Sequence, residues 1–172
     1  KTKYDPDIRH RDSIRLKDYD YSQPGAYFVT LVSYQRISLF GEITGRVISL
    51  NQYGETVESY WENIPNNYSN ILIDSFIIMP NHIHGIINIT DHVGAGFKPA
   101  PTKQYPLSEI IRAFKTFSAR KINQLRNSPG VPVWQRNYYE HVIRDDTELE
   151  SIREYVINNV AKWELDKENL TN

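Results

Sequence analysis

The 172-residue chain contains no cysteine and only one methionine. The absence of cysteine excludes disulfide bonds, a thiolate metal site and a cysteine nucleophile. No apolar run is long enough to span a bilayer, and none near the N-terminus is typical of a secretory signal, so we expect a cytoplasmic protein without a membrane partner. The length predicts a single domain over residues 1–172 with one sizeable core.

A strong net charge is also absent, because the chain carries a formal charge of -1 at pH 7. The charges are nevertheless unevenly spread. Residues 103–144 hold eight basic and two acidic residues, whereas residues 145–172 hold eight acidic and three basic ones. This distribution permits a cationic face for nucleic acid on a nearly neutral protein. On charge alone, a mixed and solvated surface is the simpler interpretation.

Segments rich in β-branched and aromatic residues alternate with segments of helical periodicity. The pattern predicts the order β-α-β-β-α-β-α, and a short hairpin fits residues 35–47. The first six elements predict an α+β fold with a ferredoxin-like, split βαβ antiparallel sheet, to which a C-terminal helix is added. The predicted strands cover 26–34, 71–79, 82–89 and 138–144, and the predicted helices begin at Ser49 or Asn51 and cover 107–125 and 147–168.

Two segments lack a clear period. Residues 1–25 are predicted to form an N-terminal arm that packs on the domain. Residues 91–106 are rich in glycine and proline and predict a loop. Loops of this length in a compact domain tend to be functional or mobile.

The two later helices each carry an apolar stripe at helical spacing. In the first, the residues expected to face inward are Ile110, Ile111, Phe114, Phe117 and Leu125. In the last helix they are Leu149, Ile152, Val156, Val160 and Trp163, with Thr147 as the expected N-cap. Tyr155 and Asn159 lie one turn apart at the edge of this last stripe, where side chains can reach a cleft instead of the core.

His82 and His84 form a His-x-His pair on a predicted strand. Because side chains alternate across a strand, both imidazoles point to one face, about 7 Å apart at the Cα atoms, and Ile83, Ile87 and Ile89 point to the other. Two imidazoles on one face can bind Mg²⁺, Mn²⁺ or Zn²⁺, with the Asn159 carbonyl oxygen as a third ligand. Asn158 is a competing ligand. Taken alone, the His-x-His and Tyr-x3-Asn patterns are better explained as structural.

In combination, these motifs resemble the single-tyrosine HUH transposases, and more closely the REP-associated tyrosine transposases of bacteria. The resemblance covers nearly the whole chain. The segments that carry it are RDSIRL (11–16), YDY (19–21), GAYFVT (25–30), MPNHIHG (79–85), WQRNYYEHVIR (134–144) and YVINN (155–159). Each segment is modest alone, but their order and combination are specific.

The resemblance implies an enzyme that cuts and rejoins single-stranded DNA through a 5′-phosphotyrosine. Tyr155 occupies the place of the nucleophile, and His82, His84 and Asn159 occupy the places of the ligands for Mg²⁺ or Mn²⁺. The family usually has Asn-Pro where this chain has Asn159-Val160, so we expect the helix to continue. The implied substrate is hairpin-forming repetitive palindromic DNA of the nucleoid, and the monomeric or homodimeric state stays open.

Nine further residues are candidates for DNA contact. Those on the helix at 107–125 would contact phosphates, and those in segment 134–144 would lie near the cleavage site. An alternative is that Trp134 packs in the core and that Arg136 pairs with Glu140. The nine candidates are Arg112, Lys115, Arg120, Lys121, Trp134, Gln135, Arg136, His141 and Arg144.

Two other functions fit part of the pattern. A non-catalytic nucleic-acid-binding module on a ferredoxin-like fold would bind DNA without a metal and without Tyr155. A metal-dependent phosphodiesterase would need the histidines but not Tyr155, and would release free ends. A domesticated relative, active on chromosomal repeats but no longer mobile, would be biochemically the same as the implied transposase.

Overall fold

The computed structural model describes residues 19–91, 105–165 and 169. Most of the predicted N-terminal arm (1–25) and of the predicted loop (91–106) lies outside these residues. The strands are β1 (Gly25–Val32), β2 (Gly41–Thr44), β3 (Val47–Leu50), β4 (Ile71–Ile78), β5 (His82–Ile89) and β6 (Tyr139–Ile143). The helices are α1 (Gln52–Glu62), α2 (Ile64–Asn67), α3 (Leu107–Leu125) and α4 (Asp146–Ile157), with 3-10 turns at Tyr34–Arg36 and Val160–Leu165.

Four strands form an antiparallel sheet in the order β4-β5-β1-β6, and β2 and β3 form a separate hairpin. Strand β5 pairs with β1 on one side and with β4 on the other, antiparallel to both. Strands β1 and β4 therefore run parallel with β5 inserted between them, which is the split βαβ connection. The predicted α+β class, antiparallel sheet and additional C-terminal helix are confirmed.

The sheet separates two apolar clusters because alternate residues of each strand face opposite sides. Ile83 and Ile87 of β5 are fully buried in the larger cluster, which also contains residues of α1 and α3. Phe28 of β1 and Ile86 of β5 belong to the smaller cluster, with Val156 of α4. The inward direction predicted for Ile83, Ile87 and Ile89 is confirmed. Helix α4 thus lies on the sheet face that carries His82 and His84.

Helix α3 has the predicted bounds, but its predicted stripe is partly wrong. Phe117 and Leu125 are exposed, whereas Ser118 and Ile122 are fully buried. A serine fits in the apolar interface because both functions of its hydroxyl are used: it donates to the Phe114 carbonyl oxygen at 2.7 Å and accepts from Trp134 Nε1 at 3.0 Å. A hydrophobicity pattern alone does not reveal this pairing.

The ends of α4 differ from the prediction. Its N-cap is Asp145, not Thr147, because the extended Asp145 places its carboxylate to accept from the Glu148 amide at 2.9 Å. Its last residue is Ile157, so the continuous helix predicted to residue 168 is wrong. The Asn158 N–H still donates to the Glu154 carbonyl oxygen at 3.0 Å, but the Asn159 N–H donates to the Val156 carbonyl oxygen three residues back at 3.3 Å, where the helical pattern ends. In the described part of the chain, no helix is both long and apolar enough to cross a membrane.

Replacing Gly85 with alanine should destabilise the protein. A Cβ atom at position 85 would overlap the Trp61 ring, and Trp61 is fully buried between Phe76 and Phe114. Overpacking of this kind costs about 1–3 kcal/mol, measurable as a shift in the urea unfolding midpoint. In a Trp61→Phe background the same substitution should cost less, and simple additivity of the two changes would contradict the explanation.

Candidate active site

The two histidines of β5 form the centre of the candidate site. His82 is fully buried and His84 is 2% exposed, and their ring centroids lie 4.4 Å apart. Their strand partners on β1 are Val32 and Thr30. Both histidines therefore lie on one face of the sheet, as predicted, and α4 covers that face.

Each imidazole is held through its Nδ1 atom. His84 Nδ1 lies 2.8 Å from the Thr30 hydroxyl, and His82 Nδ1 lies 2.8 Å from Asn81 Oδ1. The Asn81 amide nitrogen in turn donates to the Arg36 carbonyl oxygen at 3.0 Å. Such contacts fix the ring orientation that a metal-binding histidine requires.

Tyr155 lies in the last turn of α4 and reaches the histidine pair. Its hydroxyl lies 3.2 Å from His84 Nε2, and the two ring centroids are 5.1 Å apart. Phe28 stacks on His84 and contacts the Tyr155 ring edge to face, which supports both rings from the sheet. The Tyr155 side chain is 37% exposed, so its hydroxyl sits beside the imidazole while the residue stays accessible to a substrate.

Asn159 follows α4 and is only 1% exposed. Within the described residues its side-chain oxygen, Oδ1, has no hydrogen-bond partner, which is rare for a buried polar atom. The next turn brings Trp163 to 6.0 Å from the His82 ring. Asn158, by contrast, is exposed and its amide caps α4. These contacts favour Asn159 over Asn158 as a third ligand.

The donor set fits a hard divalent cation. Two imidazoles and one amide oxygen form a small neutral set that leaves positions open for phosphate oxygens and water. Among the described residues, no three His, Cys, Asp or Glu side chains are grouped so as to bind a metal. A cation at His82 and His84 would therefore depend on the buried Asn159 oxygen.

An ion pair fixes α4 to the sheet two residues before Tyr155. Arg153 donates to both carboxylate oxygens of Asp74 on β4, at 2.9 and 2.6 Å, and also contacts Glu150. The hydrogen bonds from Arg153 hold the pKa of Asp74 at about 2, below its usual 3.8. Val156 is buried on the same face, with Leu149 and Ile152 packed beside it, so the ion pair adds a polar contact to this apolar one.

Asp74→Asn should weaken the protein in a pH-dependent way. A lowered carboxyl pKa means that the native state favours the ionised form, so its stabilisation is complete well above pH 3.8 and is lost as the pH falls toward 2. In urea unfolding, the wild type should have a larger free energy of unfolding than the variant at pH 7. This difference should shrink between about pH 4 and pH 2. Glu150→Gln removes the exposed partner of the same arginine and should change little. A difference that persists unchanged to pH 2 would contradict the assignment.

Five of the nine DNA-contact candidates line one pocket, which joins Arg112 and Lys115 of α3 to Trp134, Gln135 and Arg136. Helix α3 packs on the sheet face opposite the histidine pair, so its exposed residues Arg112, Arg120 and Lys121 lie across the sheet from Tyr155. Arg136 and Arg144 are exposed on the segments that flank β6, and Gln135 is half-buried. Gln135 donates its backbone N–H at 2.9 Å to the carbonyl oxygen of Val32, the strand partner of His82.

Three of the candidates have structural contacts of their own. Lys115 donates to the backbone carbonyl oxygens of residues 135, 136 and 137, and burial lowers its pKa to about 8. Trp134 is 8% exposed in the larger core cluster, as the alternative interpretation expected. His141 Nε2 contacts the Glu148 carboxylate at 2.7 Å. Lys115 and Trp134 thus shape the segment before β6 instead of presenting free groups to DNA.

Sequence reasoning missed Thr30, Asn81 and the Asp74–Arg153 pair. Asn81 stands beside His82 in the MPNHIHG motif, so its proximity was visible in the sequence. Thr30 is 54 residues from His84, and Asp74 is 79 residues from Arg153. Those contacts depend on strand register and helix placement, which no local pattern encodes.

Two known proteins are similar to this chain in sequence. The chain is 42% identical to an uncharacterised protein of Haemophilus influenzae over 96% of this chain and 97% of that protein. A second protein of that organism, provisionally assigned as a REP-associated tyrosine transposase, is 27% identical over 83% of this chain and 74% of its own length.

Two solved structures share the fold. A REP-associated tyrosine transposase bound to a REP hairpin matches with a TM-score of 0.60 at 16% identity, over 89% of this chain and 76% of that one. A candidate transposase from Deinococcus radiodurans matches with a TM-score of 0.50 at 15% identity, over 84% of this chain and 95% of that one. The chain therefore shares the fold of these two proteins.

The family model described as IS200-like transposase matches residues 28–159. This span begins within β1 and contains the histidine pair, Tyr155 and Asn159. The chain belongs to the IS200-like transposase family.

Proposed function

We propose that this transposase cleaves and rejoins single-stranded DNA of the nucleoid by nucleophilic attack of the Tyr155 hydroxyl on a phosphodiester. His82, His84 and Asn159 would hold one Mg²⁺ or Mn²⁺ ion. The observation that carries the proposal is the 3.2 Å contact between the Tyr155 hydroxyl and His84 Nε2, because it joins a nucleophile to a histidine of the candidate metal set.

A phosphodiester resists attack because its negative charge repels nucleophiles. A bound divalent cation would neutralise that charge and orient the phosphate for in-line displacement. Tyr155 supplies the attacking oxygen, and its phenolic proton must leave as the new bond forms. Phe28 and the Asp74–Arg153 ion pair hold the tyrosine at the histidines during this step.

The reaction exchanges one ester for another. The Tyr155 oxygen bonds to the 5′ phosphorus, the bond from phosphorus to the 3′ oxygen breaks, and that oxygen takes up a proton to become a free hydroxyl. The phosphotyrosyl ester preserves the energy of the broken bond, so a 3′-hydroxyl can attack it and rejoin the strand without ATP. Hydrolysis would lack this reversibility.

A hairpin is the proposed substrate. A structural relative is bound to a REP hairpin, and the exposed Arg136 and Arg144, which flank the edge strand β6, offer cationic contacts to phosphates. Monomeric or dimeric action is compatible with this arrangement.

The test uses single-stranded hairpin DNA labelled at one end, with Mn²⁺ or Mg²⁺, resolved on a denaturing gel. A 5′-phosphotyrosine link predicts that label at the 3′ end stays with the protein, whereas label at the 5′ end leaves on a free fragment that ends in a 3′-hydroxyl. EDTA should abolish both products.

Other results would point to the alternatives. Free fragments without an adduct indicate a metal-dependent phosphodiesterase. Binding of several palindromic repeats that ignores EDTA and yields no cleavage indicates a non-catalytic binding module. Label on the protein from the 5′ end would reverse the proposed polarity.

A further inference from the structure

Asn81 joins His82 to the loop that follows β1. The residue is 1% exposed, its oxygen lies 2.8 Å from His82 Nδ1, and its amide nitrogen donates to the Arg36 carbonyl oxygen at 3.0 Å. Because the nitrogen is committed to Arg36, the oxygen faces the histidine. An amide oxygen can only accept a hydrogen bond, so His82 Nδ1 carries the proton and donates it to Asn81.

The position of that proton decides which histidine nitrogen can bind a cation. A neutral imidazole protonated at Nδ1 has its lone pair on Nε2, and one protonated at Nε2 has it on Nδ1. The acceptor beside Nδ1 therefore selects Nε2 as the ligating atom. Outer contacts of this kind orient metal-binding histidines and tune their affinity.

The backbone around Asn81 is held from the same loop. Ser33 donates its N–H to the Asn81 carbonyl oxygen at 2.8 Å, and Phe40 donates to the Pro80 carbonyl oxygen at 2.9 Å. Arg36, which receives the Asn81 amide, has a φ of 57° and follows Gln35 with a φ of 56°. Left-handed backbone is uncommon outside glycine, and here it occurs in the loop that holds the residue beside His82.

We propose that Asn81 is a positioning residue that keeps His82 in the Nδ1-protonated form and thereby reserves Nε2 for the divalent cation. The proposal rests on the proposed function, in which His82 is a metal ligand. It assigns the amide a task that its burial and packing alone would not require.

The first measurement is the tautomer of His82 in the metal-free protein, from ¹⁵N chemical shifts and two-bond ¹H–¹⁵N couplings. The wild type is expected to be protonated at Nδ1. Asn81→Leu removes the acceptor at similar volume, so His82 should shift toward the form protonated at Nε2. Asn81→Asp keeps an acceptor and should keep the wild-type form.

The second measurement is Mn²⁺ affinity without DNA, by calorimetry. Asn81→Leu should lower the affinity by about 10–100-fold, whereas Asn81→Asp should stay within a few-fold of the wild type. Asn88→Leu is the matched control, because Asn88 lies on β5 on the same face as His82 and should alter neither the tautomer nor the affinity.

Two results would overturn the proposal: a wild-type His82 protonated at Nε2, or an Asn81→Leu variant with unchanged tautomer and affinity. If circular dichroism shows that Asn81→Leu does not fold, the test depends on Asn81→Asp. Protonation of His82 at Nε2 in the Asn81→Asp variant would contradict the proposal. Mn²⁺ binding that depends on Asn81, without any covalent adduct on hairpin DNA, would refute the proposed function and leave this inference standing. A wild type that binds no Mn²⁺ refutes both.

Discussion

Tyr155→Phe is expected to leave the fold and the binding of Mn²⁺ intact while reducing the covalent DNA–protein adduct by about 10⁴-fold or more, as loss of a nucleophile does in other enzymes. The substitution removes only the hydroxyl that lies 3.2 Å from His84 Nε2. The ring contacts with Phe28 and His84 do not depend on that oxygen. Quantitative gel assays measure the loss of the adduct, and calorimetry measures whether Mn²⁺ binding is unchanged.

Tyr139→Phe is the matched control. Tyr139 has nearly the same exposure as Tyr155, 38% against 37%, and it also contacts the Phe28 ring. The control should therefore retain the adduct, although both tyrosines lie on the same face of the sheet. An adduct that survives Tyr155→Phe and disappears with Tyr139→Phe would move the nucleophile to β6.

The centre of the site was predictable because it depends on short-range geometry. Alternation along a strand puts His82 and His84 on one face, and helical spacing predicts Tyr155 and Asn159 one turn apart, although Asn159 lies in the turn that follows α4. Both patterns need only the local backbone form. Packing Tyr155 against His84 needs the placement of α4 on the sheet, and here the prediction depended on the family resemblance instead of on the spacing of residues.

The end of α4 was not predictable from the same rules. Replacement of the usual proline by Val160 removes a helix breaker, which led to the expectation of a continuous helix. The helix nevertheless ends at Ile157, because the Asn159 N–H bonds the Val156 carbonyl oxygen three residues back instead of the oxygen four residues back. As a result, the turn after Ile157 buries Asn159 and leaves Asn158 exposed, which separates the two ligand candidates that the sequence left open.

The sequence showed which segment is rich in basic residues, but not where those residues lie on the folded protein. The basic residues of segment 103–144 suggested one cationic face, and Arg112, Lys115 and Arg136 do line one pocket, but α3 packs on the sheet face opposite Tyr155. Lys115 is the clearest case, because its ammonium group bonds three backbone carbonyls. From the sequence alone, a lysine is expected to be a surface charge. The fold shows that Lys115 instead stabilises the segment before β6.

Removal of one histidine ligand is expected to have the other large effect. His82→Ala should lower Mn²⁺ affinity by more than about 100-fold, beyond the upper range for residues that only orient a ligand, and should abolish the adduct at low metal concentration. His82 is the sharper choice because the hydrogen-bond contact of Tyr155 is with His84, so this variant tests the metal separately from the tyrosine–histidine contact. Quenching of Trp163, 6.0 Å from the His82 ring, reports Mn²⁺ binding directly.

The neighbouring asparagines provide the internal control for the ligand set. Asn159→Ala should also weaken Mn²⁺ binding, because it removes a buried oxygen that has no other partner within the described residues. Asn158→Ala removes an exposed side-chain hydrogen bond to the Glu154 carbonyl oxygen and should cost about 0.5–1.5 kcal/mol of stability, with metal affinity unchanged. If Asn158→Ala weakened Mn²⁺ binding and Asn159→Ala did not, the third ligand would be Asn158. Equal Mn²⁺ affinity in the wild type and His82→Ala, with both proteins folded, would remove the histidine pair from the metal site.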